Sequence, residues 1–219
     1  MSNSTDIIIV LRQISDLAAL VELFKATYQA SNYPVDGPPG HDDIDRWLPV
    51  YLGGDALVEI LALVPCRAED SEAGANNGAS REKSMKQPQT SASPPGRRKV
   101  LGHVSLRRVS ENSITSKMWR DAGFSHDGDL WEVCRLAVDP DFQEKGIGRR
   151  LLEATEIEAQ KSGAKLVLGV LEKDTVAIRM YERKGWKVFG KDKLVRQDGK
   201  YHTEYFYIHE SDNRGLIIS

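Results

Sequence analysis

The stretch Gln143-Glu144-Lys145-Gly146-Ile147-Gly148 limits this chain more than any other. An apolar run, Trp131 to Val138, precedes it, and a helical pattern beginning near Arg149 follows it. A strand, a glycine-bearing turn and a helix start form a cradle for an anion. Glycines let the backbone approach a ligand closely, and the first amides of a helix have no partner inside it. Those amides point forward, and the helix dipole favours negative charge in front of them. A diphosphate-bearing cofactor is the ligand such a turn suits.

The elements around the turn alternate between strand and helix patterns. Ile7 to Leu11 is a β-branched strand. Ser15-Asp16 opens a helix with Leu17, Leu20, Val21 and Phe24 on one face. Asn32 to Gly40, with three prolines and two glycines, is a loop, and a short helix follows at His41 to Leu48, capped by Asp42 or Asp43. Ala56 to Val64 and Val100 to Val109 are the second and third strands. Trp119 to Asp129 reads as loop with some helical turn, and Leu130 to Val138 is the fourth strand.

Arg149 to Ser162 is a helix burying Leu151, Leu152, Thr155 and Ala159 and ending at Gly163. Leu166 to Leu171, apolar on both faces, is a central strand. Asp174 to Lys184 is a helix. Trp186 to Val195 and Tyr201 to His209 form a hairpin across Gln197-Asp198-Gly199.

Arg67 to Arg98 contains no Val, Ile, Leu, Phe, Tyr or Trp. It cannot bury enough apolar surface to offset its ordering entropy, and it reads as a disordered loop between two strands. Loop closure costs grow only logarithmically with length, so residues 1–219 form one domain with an insertion at 67–98. A net charge of −2 gives no broad basic field for nucleic acid or anionic membrane. Cys66 and Cys134 do not form a disulfide or zinc framework. With no signal-peptide pattern in Met1 to Asp6, these features point to a reducing compartment, cytoplasmic or nuclear.

Leu136-Ala137-Val138-Asp139-Pro140-Asp141-Phe142-Gln143-Glu144-Lys145-Gly146-Ile147-Gly148-Arg149 resembles the cofactor motif of the GNAT superfamily of acetyl-CoA-dependent N-acetyltransferases. Asp174-Thr175-Val176-Ala177-Ile178-Arg179-Met180-Tyr181-Glu182-Arg183-Lys184-Gly185-Trp186 resembles a second family motif, with Asp174 where many members carry Asn. Both come in the family's order, and the resemblance covers Ile7 to His209 outside the insertion. It implies an α/β (α+β) fold with a mixed, splayed central sheet of about seven strands flanked by helices. It also implies direct, metal-free transfer of acetyl from acetyl-CoA to a primary amine of a small molecule, peptide or protein.

The resemblance assigns the diphosphate to the amides of Gln143, Glu144, Lys145, Gly146, Ile147, Gly148 and Arg149, with charge from Lys145 and Arg149. It assigns the thioester and pantetheine arm to the backbone of Leu136, Ala137 and Val138, and further cofactor contacts to Asp174, Ala177 and Tyr181. Tyr181 takes the general-acid position. Asp174 can cap its helix as Asn would, but a carboxylate does not donate a hydrogen bond.

A lysine-like amine costs about 4–5 kcal/mol to deprotonate at neutral pH, an α-amine about 1. A base therefore matters most for the former. Glu132 is one candidate, expected on the face of the fourth strand that carries Cys134, Leu136 and Val138. Its alternative role is that of an exposed or salt-bridged strand acid, with Arg135 or Arg108 nearby. His103 is the other candidate base. Tyr28, Tyr33 and Trp47 flank the Pro-Gly loop, where the family builds its acceptor pocket, and edge-of-core packing accounts for them equally. A non-catalytic acyl-CoA sensor and an interaction module built on the insertion are the rival readings.

Overall fold

Seven strands join one sheet in the computed structural model, which describes residues 7–31, 44–52 (backbone alone for 44–47), 56–64, 99–124, 128–195 and 201–209. The elements run β1 (Ile8–Leu11), α1 (Leu17–Ser31), α2 (Ile44–Leu52), β2 (Val58–Val64), β3 (Lys99–Arg108), α3 (Ile114–Asp121), β4 (Leu130–Val138), α4 (Ile147–Ser162), β5 (Lys165–Leu171), α5 (Thr175–Arg183), β6 (Trp186–Val195) and β7 (Tyr201–His209). The strand order is β1-β2-β3-β4-β5-β7-β6, and β4 with β5 is the parallel pair in an otherwise antiparallel sheet. The loop at 32–40, the insertion at 67–98, Asp42, Asp43, Cys66 and the turn at 197–199 lie outside the described residues.

Two layers of helix cover the sheet. On one face α4 buries Ile147, Leu151, Leu152 and Ala159 against Val104, Leu106, Trp131, Val133 and Leu168, with Tyr181 of α5 and Trp186 in the same cluster. On the other face Leu20, Leu23 and Phe24 of α1 and Leu48 and Leu52 of α2 meet Leu61, Leu63, Val100 and Ala137. Farther along that second face, Trp119 of α3 packs on Val167 and Ile208. Gly163, at φ +67°, ends α4, as glycine does where a helix closes in the left-handed conformation.

The helix α3 departs from the sequence expectation, which left its residues unassigned or in loop. Ser113 caps it by accepting the Ser116 amide, and its inward residues are Thr115, Ser116, Met118 and Trp119. Two of those four are polar, so the apolar stripe that would reveal the helix is broken.

The feature that positions everything else is a bulge in β4. Ser105 of β3 faces Cys134, and His103 faces Ala137, so β4 carries one residue more than β3 between these pairs. Arg135 takes up the difference with φ +55°, a left-handed conformation costing about 1–2 kcal/mol in a non-glycine residue. The fully buried His103 ring lies between the Arg135 carbonyl, 2.9 Å from Nδ1, and Glu59 Oε1, 3.2 Å from Nε2. Arg12 pairs with Glu59 from the other side and donates to the Leu52 carbonyl at 3.0 Å.

Burial opposes the charge on Glu59, but hydrogen bonds from His103 and Arg12 win and hold its pKa below the ordinary carboxylate value. A depressed carboxylate contributes stability that is present at neutral pH and lost as pH falls through its folded-state pKa. Glu59→Gln is therefore expected to lower stability by about 1.5–3 kcal/mol at neutral pH, and to flatten the loss of stability on acidification below the ordinary glutamate range. Urea unfolding of both proteins across that range checks it.

Candidate active site

Parallel pairing of β4 with β5 runs from Leu130–Lys165 to Val133–Leu168 and stops there. Beyond it β4 stays with β3 to Val138, and β5 stays with β7 to Leu171. The two strands part after Val133, and among the described residues the edge of β4 from Leu136 to Val138 has no strand beside it on the β5 side. This is the splay expected from the sequence.

The gap leads to the glycine turn. After a 3-10 turn at Pro140–Phe142, held by Asp139 accepting the Asp141 amide at 3.0 Å, the chain passes Gln143. Glu144 (φ +61°) and Gly146 (φ +77°) are both left-handed. Helix α4 starts at Ile147, two residues earlier than expected. Its first internal bond joins the Arg150 amide to the Gly146 carbonyl at 3.1 Å. The amides of Ile147, Gly148 and Arg149 thus have no acceptor within the helix. A Cβ on Gly146 would meet nothing within 4 Å, and one on Gly148 would make only ordinary contact with Met180 and Val138. Packing does not require glycine at either position, so both leave room for a ligand. Lys145 is exposed over the Phe142 ring, 4.2 Å from its centroid, and Arg149 is exposed beside Glu153 at 3.2 Å.

Tyr181 is 6% exposed on the α4 face, with Trp186 and Tyr207 ring centroids at 6.2 and 6.3 Å. Among the described residues its hydroxyl has no hydrogen-bond partner. Burial, then the charge of Asp174, push its pKa well above the ordinary tyrosine value. It stays protonated, a donor rather than a base. Asp174 starts α5 without a side-chain cap, contrary to expectation, and its carboxylate lies 3.6 Å from Lys173 Nζ. Ala177 is half-buried against the α4-side core.

The bulge corrects the expected placement of Glu132. Before Arg135, Trp131 and Val133 face α4; after it, Leu136 and Val138 do. Glu132 and Cys134 therefore lie on the opposite face from Leu136 and Val138, together with Ala137. Glu132 is 7% exposed, and both its oxygens are engaged: Arg107 Nε donates to Oε2 at 2.7 Å, and Thr115 Oγ1 donates to Oε1 at 2.7 Å. Its partner is Arg107, not the Arg135 or Arg108 considered from sequence.

His103 is likewise locked in the core, fully buried with both ring nitrogens engaged. Tyr28 is half-buried near the end of α1. Trp47 lies on α2 with its side chain outside the described residues, as is all of Tyr33. Tyr51, not singled out from sequence, lies beneath the Arg135 guanidinium, 4.4 Å from ring centroid to Cζ. Burial pushes the Cys134 thiol up, against a nucleophilic role.

A parted parallel strand pair and an amide cradle at a helix start, with a buried tyrosine on the α4 side, form a site suited to an extended, diphosphate-bearing ligand. The sequence model of the Acetyltransferase (GNAT) family matches residues 92–186. The chain is 46% identical over 52 residues to the ribosomal protein bS18-alanine N-acetyltransferase of Escherichia coli K12, covering 23% of this chain and 35% of that one. It is 41% identical over 59 residues to the tRNA(Met) cytidine acetyltransferase TmcA of Aeropyrum pernix, covering 27% of this chain and 8% of that one. The chain thus spans well under two-thirds of these relatives. The crystal structure of Arabidopsis thaliana NAA60 in complex with acetyl-CoA shares its fold at TM-score 0.58 and 17% identity, over 93% of this chain and 98% of that one.

Gly146→Asp would set a carboxylate on a strained left-handed residue in front of the cradle. It is expected to abolish acetyl-CoA binding in a calorimetric titration, and retained affinity would mean that the diphosphate lies elsewhere.

Proposed function

We propose that this domain transfers the acetyl group of acetyl-CoA to a primary amine by direct attack. The parting of β4 and β5 beside the cradle carries this reading: it offers free strand edges to an extended pantetheine arm and free amides to its diphosphate. The residues fit the group. The amides from Gln143 to Arg149 would hold the diphosphate, with Lys145 and Arg149 adding charge, and the backbone of Leu136, Ala137 and Val138 would hold the arm. Acetyl-CoA would supply the acetyl group already activated as a thioester.

Tyr181 gives its proton to the departing sulfur. A thiol of ordinary pKa, about 8.5, makes a thiolate in water, but beside a buried tyrosine the same burial that raises the phenol also disfavours a bare thiolate. Among the described residues the hydroxyl is engaged by no other group, which leaves it able to donate to a ligand.

For the acceptor, we propose the α-amino group of a peptide or protein. Support comes from the bS18-alanine relative and from the low cost of deprotonating such an amine, about 1 kcal/mol at neutral pH. Thiol release from acetyl-CoA across peptides with free N-termini, polyamines, amino acids, aminoglycosides and arylamines tests both statements. A peptide hit supports the acceptor class. Tight acetyl-CoA binding with no acetylated product from any acceptor would favour the sensor reading.

Tyr181→Phe is expected to lower turnover by about 10²- to 10⁴-fold, the usual size of an acid–base contribution, with acetyl-CoA affinity unchanged. Wild-type turnover in this variant would remove Tyr181 from the reaction.

A further inference from the structure

With both oxygens of Glu132 committed and His103 sealed in the core, neither residue expected to deprotonate the amine is free to do so. Another carboxylate is better placed. Glu204 lies on β7, in register with Leu171 of β5. Along β7, residues Glu204, Phe206 and Ile208 share a face, and Ile208 packs with Trp119 on the face opposite α4. The Glu204 carboxylate reaches back over Gly169. A Cβ built on Gly169 would lie 2.5 Å from Oε1 and 3.2 Å from the carboxyl carbon. Gly169 is the residue immediately after Leu168, where pairing with β4 ends. Its missing side chain makes the space that the carboxylate fills at the vertex of the gap.

We infer that Glu204 is the general base of this domain, taking a proton from the acceptor amine at the vertex between β4 and β5. The inference rests on the acetyltransferase reading above. Glu204 is half-buried, and among the described residues its carboxylate has no hydrogen-bond partner. It stands on one face of the sheet, and Tyr181 stands on the other. The gap between them is where an acetyl group would meet an amine, so one group serves the incoming nitrogen and the other the departing sulfur.

The charged groups facing Glu204 are Glu132 on β4, Arg107 on β3 and Asp192 on β6. Burial, then Glu132, hold its carboxyl above the ordinary range, Arg107 pulls it back, and Asp192 adds a further upward push. A raised carboxyl is closer to the pKa of the proton it must accept, which suits a base.

Protons and bonds balance as follows. Glu204 takes one proton from the ammonium and passes it to solvent. The amine lone pair forms the C–N bond as the C–S bond breaks. Tyr181 protonates the sulfur, and the second proton released from nitrogen restores Tyr181.

Glu204→Gln keeps shape and removes the base. With acetyl-CoA and a peptide α-amine, kcat/KM is expected to fall about 10²-fold or more. The wild-type rise of kcat/KM with pH at the Glu204 pKa should disappear, while acetyl-CoA affinity stays at the wild-type value. In the free protein, carbon-13 NMR of labelled glutamate should show a carboxyl titrating above the ordinary range and missing in the variant. Wild-type kcat/KM and pH profile in Glu204→Gln would overturn the assignment. Should that variant fail to fold, Gly169→Ala decides, because its methyl group displaces the carboxylate: a fall of similar size supports the base, and unchanged kcat/KM overturns it. Absence of turnover in the wild-type protein with every acceptor would instead defeat the acetyltransferase reading itself.

Discussion

The site depends on one extra residue in β4. A regular strand would continue beside β5 and keep its edge amides in the sheet ladder. The bulge at Arg135 bends β4 away, and the parallel pairing ends two residues before it, at Val133. The same extra residue inverts the alternation of side chains, sending Leu136 and Val138 toward α4 and leaving Glu132 and Cys134 on the other face. An opening in the sheet and a change of face thus have one cause.

Such a conformation persists when its surroundings over-determine it. His103 reaches the Arg135 carbonyl, Glu59 holds His103, and Arg12 holds Glu59. The Arg135 guanidinium lies against Tyr51 from α2. Residues from β2, β3 and α2, with Arg12 just after β1, support Arg135 directly or through one another, none of them needing to touch a substrate. This explains why a buried histidine near the expected site serves geometry rather than chemistry: a ring with both nitrogens engaged and no exposed surface cannot approach an amine.

The glycine turn and the order of strands and helices were legible because their signals are local. Gly146 and Gly148 announce close backbone approach, and the apolar spacing of Leu151, Leu152, Thr155 and Ala159 marks the inner side of α4. The bulge was not legible. Nothing about an arginine in an apolar strand signals φ +55°, and alternation counted through it assigns Glu132 the wrong neighbours. Helix α3 was hidden for a related reason, since Thr115 and Ser116 point inward where an apolar stripe is sought. Thr115 does so to donate to Glu132, a contact between residues 17 apart that strand and helix periods do not encode.

Glu204 shows the same limit from the side of function. In sequence it is one acid in the polar start of a hairpin strand, 35 positions from Gly169 by their numbers. Its relevance comes from pairing: β7 inserts between β5 and β6, which brings Glu204 diagonally across from Gly169. A larger residue at 169 would push that carboxylate away from the vertex, and a carboxylate supplied by β5 itself would need no glycine there. The small residue and the acid are therefore best understood as one feature divided between two strands. Glu132 then has a definite part as well. Fixed by Arg107 and Thr115, it is a stationary negative charge beside Glu204, and it makes the free carboxylate hold a proton more readily than an isolated one would.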